Sequence, residues 1–166
     1  MLRYSVSILS ISLLLYGIVA AMANDDLLAP YETGDRKFVR REIGDKIIYF
    51  HQRTIGDAIV EKDFIVYHFH KDTKQLLNKK QHWRTDLPEH VAPKITKKQA
   101  EAMAEGEVDL SQLYIISPES DIFPIEPTPE NPCWIVRSTK DGRTIVTIID
   151  AVTGEFLGYG MRPPQQ

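Results

Sequence analysis

The chain has 166 residues, with 20 lysines and arginines against 23 acidic residues and one cysteine. This length suits one domain of ordinary size or two small subdomains, and a single cysteine excludes an intrachain disulfide. The net charge of −3, without a basic stripe, argues against nucleic-acid binding.

The N-terminal residues have the pattern of an export signal. A positive start at Arg3 precedes a mostly apolar run from Val6 to Val19, and Ala21-Met-Ala23 is a small-x-small cleavage site. We therefore predict a signal peptide over residues 1–23 and a flexible polar arm over 24–36, and we expect an exported protein that is secreted, periplasmic or held in the cell envelope. The alternative is a retained membrane anchor, which the short apolar run disfavours.

Residues 37–86 predict a β-rich half. A short extended run over 37–42 precedes two strand candidates rich in β-branched and aromatic residues, Lys46–Arg53 and Phe64–Phe69, and Gly56-Asp57 marks the turn between them. This pattern predicts an antiparallel meander of three or four strands.

One helix is predicted after a proline-containing connector. Thr96 is placed to cap it, and Gln99 three residues later completes a capping box. Its apolar stripe consists of Ala100, Met103 and Ala104. The spacing predicts that this face packs on a sheet.

A strand candidate at Leu113–Ile116 is followed by a proline-rich segment, residues 117–132. Its five prolines predict a stiff, extended loop, because proline donates no backbone hydrogen bond and restricts the residue before it. A functional loop and a stiff connection held by Phe123 explain this segment equally well.

A β-hairpin is the strongest local signal in the chain. Asp141-Gly142 lies between two β-branched runs, and a two-residue primed turn needs positive φ at both central positions. This turn centre pairs Trp134 with Ile149, and it also pairs Val136 with Thr147. One face then presents an apolar set to a core: Trp134, Val136, Ile145 and Ile149. The residues expected to form structural turns are Asp141, Gly142, Asp150 and Gly154.

Known catalytic and cofactor motifs are absent from the sequence, which predicts no catalytic residue and no cofactor. Cys133 lies beside Trp134 in a predicted strand and is expected to be a small buried apolar residue rather than a nucleophile. An enzyme of unfamiliar type stays open as an alternative.

Three histidines are the candidates for a metal site. His68 and His70 point to the same face of a predicted strand, and His51 on the preceding strand would face them if the register allowed. Converging imidazoles suit zinc or copper, but no carboxylate or cysteine lies at ligand spacing. We expect an exposed strand face without a metal, and the alternative function is a metal- or small-ligand-binding protein of the cell envelope.

The C-terminal half resembles a PepSY domain. The matching features are the helix start Ile95–Ala102, the strand Trp134–Arg137, and the turn Asp150–Glu155 with Phe156-Leu-Gly158 after it. Residues 37–86 are similar to the strand pair that precedes PepSY in propeptides of thermolysin-type metallopeptidases.

The resemblance implies an α+β fold in which one main capped helix packs on an antiparallel β-sheet, in a PepSY- or cystatin-like arrangement. The PepSY-like half would span 94–160, with a frayed tail over 161–166. In such propeptides the module assists folding of the attached peptidase and inhibits it. Because no peptidase follows Gln166, we expect a non-catalytic binding module that acts in trans as a peptidase inhibitor or folding assistant. Its expected partner is another exported protein, with no nucleic acid and no retained membrane span.

Overall fold

The structure is a computed structural model that describes residues 26–31 and 36–160. The predicted signal peptide and the predicted tail lie outside the described residues. The described residues up to Arg53 form one compact unit with Asp63–Thr85, and Thr54–Lys62 form a second unit with the described residues from Asp86 onward. The short segment before Asp63 therefore belongs with the C-terminal residues.

The predicted α+β class is wrong. Strands make up 49% of the described residues and belong to an eight-stranded sheet, and the only α-helix that these residues form is seven residues long. This helix, α1 (Lys97–Met103), ends because Ala104 takes an extended backbone with φ −81° and ψ 148°. Met103 is 44% exposed, whereas Ala100 is buried and Ala104 packs against the same cluster, so the predicted stripe packs on the sheet through its two alanines alone.

The start of α1 follows the prediction. Gln99 N donates to Thr96 Oγ1 at 3.3 Å, and Thr96 N donates to Gln99 Oε1 at 2.9 Å. These two bonds confirm the predicted capping box. It could be predicted from sequence because its two residues are only three positions apart.

The first unit contains an antiparallel meander. Its strands are β1 (Val39–Ile43), β2 (Lys46–Ile55), β3 (Ala58–His70) and β4 (Leu76–His82). β1 pairs with β2, β2 neighbours β3, and β4 pairs with β3 over Phe64–Phe69. Both β2 and β3 also contribute residues to the second unit.

One face of this meander is buried. Tyr49, Tyr67 and Phe69 pack there with the side chain of Leu28, which belongs to the 3-10 helix Asp26–Leu28. The Tyr31 ring lies 5.1 Å from the Tyr67 ring. The described part of the segment predicted to be a flexible arm thus packs on the core of the first unit.

The second unit is built around the hairpin. Its strands, besides the first part of β3, are β5 (Glu107–Ile115), β6 (Cys133–Lys140), β7 (Arg143–Asp150) and β8 (Phe156–Tyr159). β5 to β8 pair antiparallel in chain order. β3 and β5 pair parallel, with Ile59 opposite Tyr114 and Val60 opposite Ile115. The sheet was predicted to be antiparallel, and this one strand pair departs from that prediction.

The hairpin has the predicted register. Trp134 lies opposite Ile149, and Val136 lies opposite Thr147. Asp141 and Gly142 have φ values of 51° and 72°, the positive pair that a type I′ turn requires.

Both faces of this hairpin are buried, whereas the sequence indicated one. Val136 and Ile149 pack with Ala100 of α1 on the predicted face. On the other face, Cys133 and Ile135 belong to a cluster that includes Phe123, so the proline-rich loop covers that side of the sheet. α1 therefore packs on one face of the hairpin, and the proline-rich loop packs on the other.

Candidate functional site

Within residues 36–160, β7 is paired over only part of its β8 side, and this edge is the main candidate binding feature of the second unit. β8 pairs with β7 over Thr147–Ile149, and Gly160 N donates to Val146 O at 2.9 Å. Backbone groups of alternate residues point to the same side of an antiparallel strand, so Thr144 directs its N–H and C=O to the side of Val146 O. Among residues 36–160, no strand pairs with β7 at Thr144 on that side.

An open groove of about 690 Å³ runs along this edge. The hairpin turn and the first half of β7 line one side, and Tyr159 and Gly160 line the other. A Cβ added at Gly160 would lie 2.9 Å from Val146 Cγ1, so Gly160 packs closely against β7 at this end of the groove. The groove continues from there past Thr144 to the hairpin turn.

Tyr159, which lines the groove, contacts a second exposed aromatic side chain, Phe156. Phe156 is 49% exposed and Tyr159 is 55% exposed, and their rings meet edge to face with centroids 5.0 Å apart. Aromatic side chains of this kind are enriched at protein interfaces, because they bury a large area at low entropic cost.

The rim of the groove carries charges of both signs. Lys140 and Arg143 are the cations, and Asp141 supplies a carboxylate. Lys140 Nζ donates to the Glu105 carboxylate, and this hydrogen bond raises the pKa of Lys140 and lowers the pKa of Glu105. Because Lys140 is already paired, Arg143 is the cation better placed to meet an incoming segment.

The three candidate metal ligands do not converge. His51 lies on the core side of β2, where its ring contacts Phe38, whereas His68 and His70 lie on the opposite side of the sheet. Burial lowers the pKa of both His51 and His68. His70 Nδ1 accepts from Asp72 N at 3.2 Å, which places it in a turn. The described residues include no cluster of three histidine, cysteine or acidic side chains suited to a metal ion.

Cys133 is buried, and burial together with the nearby Asp150 carboxylate raises its pKa to about 12. The thiol is therefore protonated near neutral pH and does not offer a nucleophile. Asp150 instead serves the following turn, since its Oδ1 accepts from the backbone N–H of Val152 and Thr153 at 2.7 and 2.8 Å. Gly154 closes this turn with φ 78°.

A buried ionic cluster in the first unit was missed at the level of sequence. Asp63 is fully buried and accepts from Arg53 Nη1 at 2.9 Å, from Arg84 N at 2.9 Å and from Arg84 Nε at 3.0 Å. The Arg53 guanidinium also lies 4.8 Å from the ring centroid of Trp83. The sequence does contain a signal for this cluster, because Asp63 stands next to an apolar strand segment, and a buried carboxylate requires a charged or hydrogen-bonding partner. This cluster is compact and internally paired, so it stabilises the first unit.

Comparisons with known proteins show one distant structural likeness. No family model matches the chain, and no curated protein sequence matches it. The chain is similar to the Bacillus megaterium YpeB C-terminal domain, with 16% sequence identity, a TM-score of 0.46, and coverage of 89% of this chain and 70% of that chain. No helix within residues 26–31 and 36–160 has the length and apolar character needed to span a membrane.

Proposed function

We propose that this chain is a non-catalytic binding module that holds another protein in trans, by adding an extended segment of that protein to β7 at Thr144, where no strand of residues 36–160 pairs on the β8 side. The observation that carries this proposal is the outward-facing backbone of Thr144 beside a groove walled by Tyr159. Strand addition uses main-chain hydrogen bonds for affinity and neighbouring side chains for specificity.

The size of each contribution indicates how such a complex is held. A pair of ladder hydrogen bonds at Thr144 contributes about 1 to 3 kcal/mol. Burying the exposed parts of Phe156 and Tyr159 contributes a similar or larger amount, since a fully buried large side chain is worth about 1.5 to 3 kcal/mol. The aromatic pair therefore supplies much of the affinity, and the strand edge sets the direction of the bound segment.

An exported peptidase is the first partner to test. The export pattern over residues 1–23 and the PepSY-like features at Ile95–Ala102 and Asp150–Glu155 support this choice. By analogy with propeptides, the chain would inhibit the peptidase or assist its folding, with the bound segment supplied by the peptidase.

The experiment combines an activity assay with a binding measurement. The purified chain is added to a metallopeptidase secreted by the same organism, and complex formation is followed on a sizing column and by biolayer interferometry. Thr144→Pro removes the outward N–H and leaves the β6 side of the strand intact, because proline is tolerated where the N–H faces solvent. Thr144→Val is the matched control that keeps the N–H.

We expect the Thr144→Val variant to bind like the parent chain and the Thr144→Pro variant to bind about tenfold more weakly, a change of about 1.4 kcal/mol. Equal affinity of the two variants would rule out strand addition at β7. Unchanged peptidase activity together with no complex would rule out the peptidase as partner. A variant that ends at Gly160 shows whether residues 161–166 alter access to the groove.

A further inference from the structure

The second face of the first-unit sheet has an unusual composition. In an antiparallel pair, directly opposed residues point to the same side, and Arg41 lies opposite Ile48 while Val66 lies opposite Lys80. The rings of Phe50 and Phe64 stack with centroids 5.9 Å apart, which links the two strand pairs across this side.

We call this surface the basic face and define it by two sets of side chains. Its apolar side chains are Val39, Ile43, Ile48, Phe50, Phe64 and Val66. Its cations are Arg41, Lys46 and Lys80. The apolar set lies outside the core clusters that the described residues form. Ile43 is 51% exposed, Val66 is buried, and the other four are half-buried.

The cations of the basic face have no matching acids. No strand position on this side carries Asp or Glu among the described residues, and none of the ion pairs between described residues involves Arg41, Lys46 or Lys80. Burial lowers the pKa of His68 most, and the positive charges of Lys46 and Lys80 lower it further. Both cations therefore lie near the same histidine on this side of the sheet. Like charges held together around an apolar strip favour an anionic, partly apolar occupant.

The opposite side of the same sheet also carries several cations, but it carries carboxylates that pair with them. There, Asp63 pairs with Arg53 and Arg84, and Glu42 pairs with Lys71. The basic face differs in that none of its strand positions among the described residues carries a carboxylate to pair with Arg41, Lys46 or Lys80.

We infer that the basic face is a second docking surface and that its occupant is an acidic protein segment bearing aromatic or aliphatic side chains. The acidic groups meet Arg41, Lys46 and Lys80, and the apolar side chains cover the Phe50–Phe64 stack. This surface belongs to a different unit from the β7 edge, so it does not depend on strand addition there.

The test uses a random copolymer of glutamate and tyrosine as the probe and a copolymer of lysine and tyrosine as the probe of opposite charge. Binding to the full chain is followed by fluorescence anisotropy at low and at physiological salt. One variant neutralises the basic face and carries Arg41→Gln, Lys46→Gln and Lys80→Gln. The matched variant removes the same charge from around α1 and carries Lys94→Gln, Lys97→Gln and Lys98→Gln. Circular dichroism verifies that both remain folded.

We expect the basic-face variant to bind the acidic copolymer about tenfold more weakly or worse, because each exposed pair contributes about 0.2 to 1 kcal/mol. The α1 variant should bind like the parent chain, and Ile43→Thr should weaken binding with the charge unchanged. Thr144→Pro should have no effect, which separates this surface from the β7 edge.

Three results would overturn the inference. Equal losses in the two charge-matched variants would indicate attraction to net charge alone. If the acidic copolymer does not bind the parent chain, the basic face is not a docking surface for acidic segments. Stronger binding to phosphatidylglycerol vesicles than to the copolymer, lost in the basic-face variant, would assign the face to a lipid surface instead.

Discussion

Replacing Asp63 by alanine should destabilise the first unit by about 3 kcal/mol. The change removes the acceptor of three hydrogen bonds, from Arg53 Nη1, Arg84 N and Arg84 Nε, while Arg53 Nη1 keeps a second acceptor in Arg84 O at 2.5 Å. Breaking a buried ion pair by removing one partner typically costs about 3 to 5 kcal/mol. We expect the lower end, because the Arg53 and Arg84 side chains are 16% and 15% exposed and can recover some hydration.

The two tryptophans allow this loss to be assigned to one unit. Trp83 belongs to the first unit and Trp134 to the second. In a Trp134→Phe background, fluorescence during urea unfolding therefore reports the first unit alone. Asp72→Ala is the control, since this exposed turn residue should change stability by no more than about 0.5 kcal/mol.

A loss below about 1 kcal/mol for Asp63→Ala would refute the reasoning, because surface ion pairs contribute that little. It would mean that the carboxylate is solvated in the folded chain. A fall in stability of the same size in the Asp72→Ala control would also refute it, since the effect would then not arise from the buried cluster.

Further measurements address the second unit. Trp134→Ala should lower the free energy of unfolding by about 3 to 5 kcal/mol, as large aromatic deletions do, whereas Trp134→Phe should lower it by about 1 kcal/mol, because the hydrogen bond from the indole N–H to Ile95 O at 2.7 Å is lost. Urea unfolding followed by circular dichroism compares the two variants. A loss below about 1 kcal/mol for the alanine variant would place the ring outside the core. Because burial, with a contribution from Glu61, raises the pKa of Tyr114 from 10.0 to about 12, its stabilising effect is complete below pH 10 and is lost as the pH rises towards 12. Unfolding at increasing pH should show this loss, and its absence from Tyr114→Phe is the check. Cys133 should react with a disulfide reagent at pH 8 only as fast as the chain opens, and rapid reaction of the folded chain would contradict its burial.

Local patterns in the sequence predicted local structure well. The Asp141-Gly142 turn determines the hairpin register because only its own backbone angles and two-residue length are involved. The Thr96 capping box forms for the same reason, since its bonds join residues three apart. Neither feature required knowledge of what the element packs against.

The candidate sites depended on relations that no local pattern contains. His51 and His68 lie on opposite sides of one sheet, which sequence alternation within each strand did not show without the register between strands. Whether described residues pair with β7 at Thr144 depends on how far β8 extends along β7. The buried partners of Asp63 come from residues 10 and 21 positions away.

The fold class shows the same division between local and long-range effects. Capping residues established where α1 begins, but its length was decided by the chain turning to extended backbone at Ala104. The β-strands that dominate the chain were visible as β-branched and aromatic runs, yet the parallel contact of β3 with β5 joins residues about 55 positions apart. Turn geometry and side-chain alternation are set by neighbouring residues, and so they follow from sequence. Which faces become buried, and which strand edges are paired among the described residues, depends on the packing of distant segments, which only the tertiary structure decides.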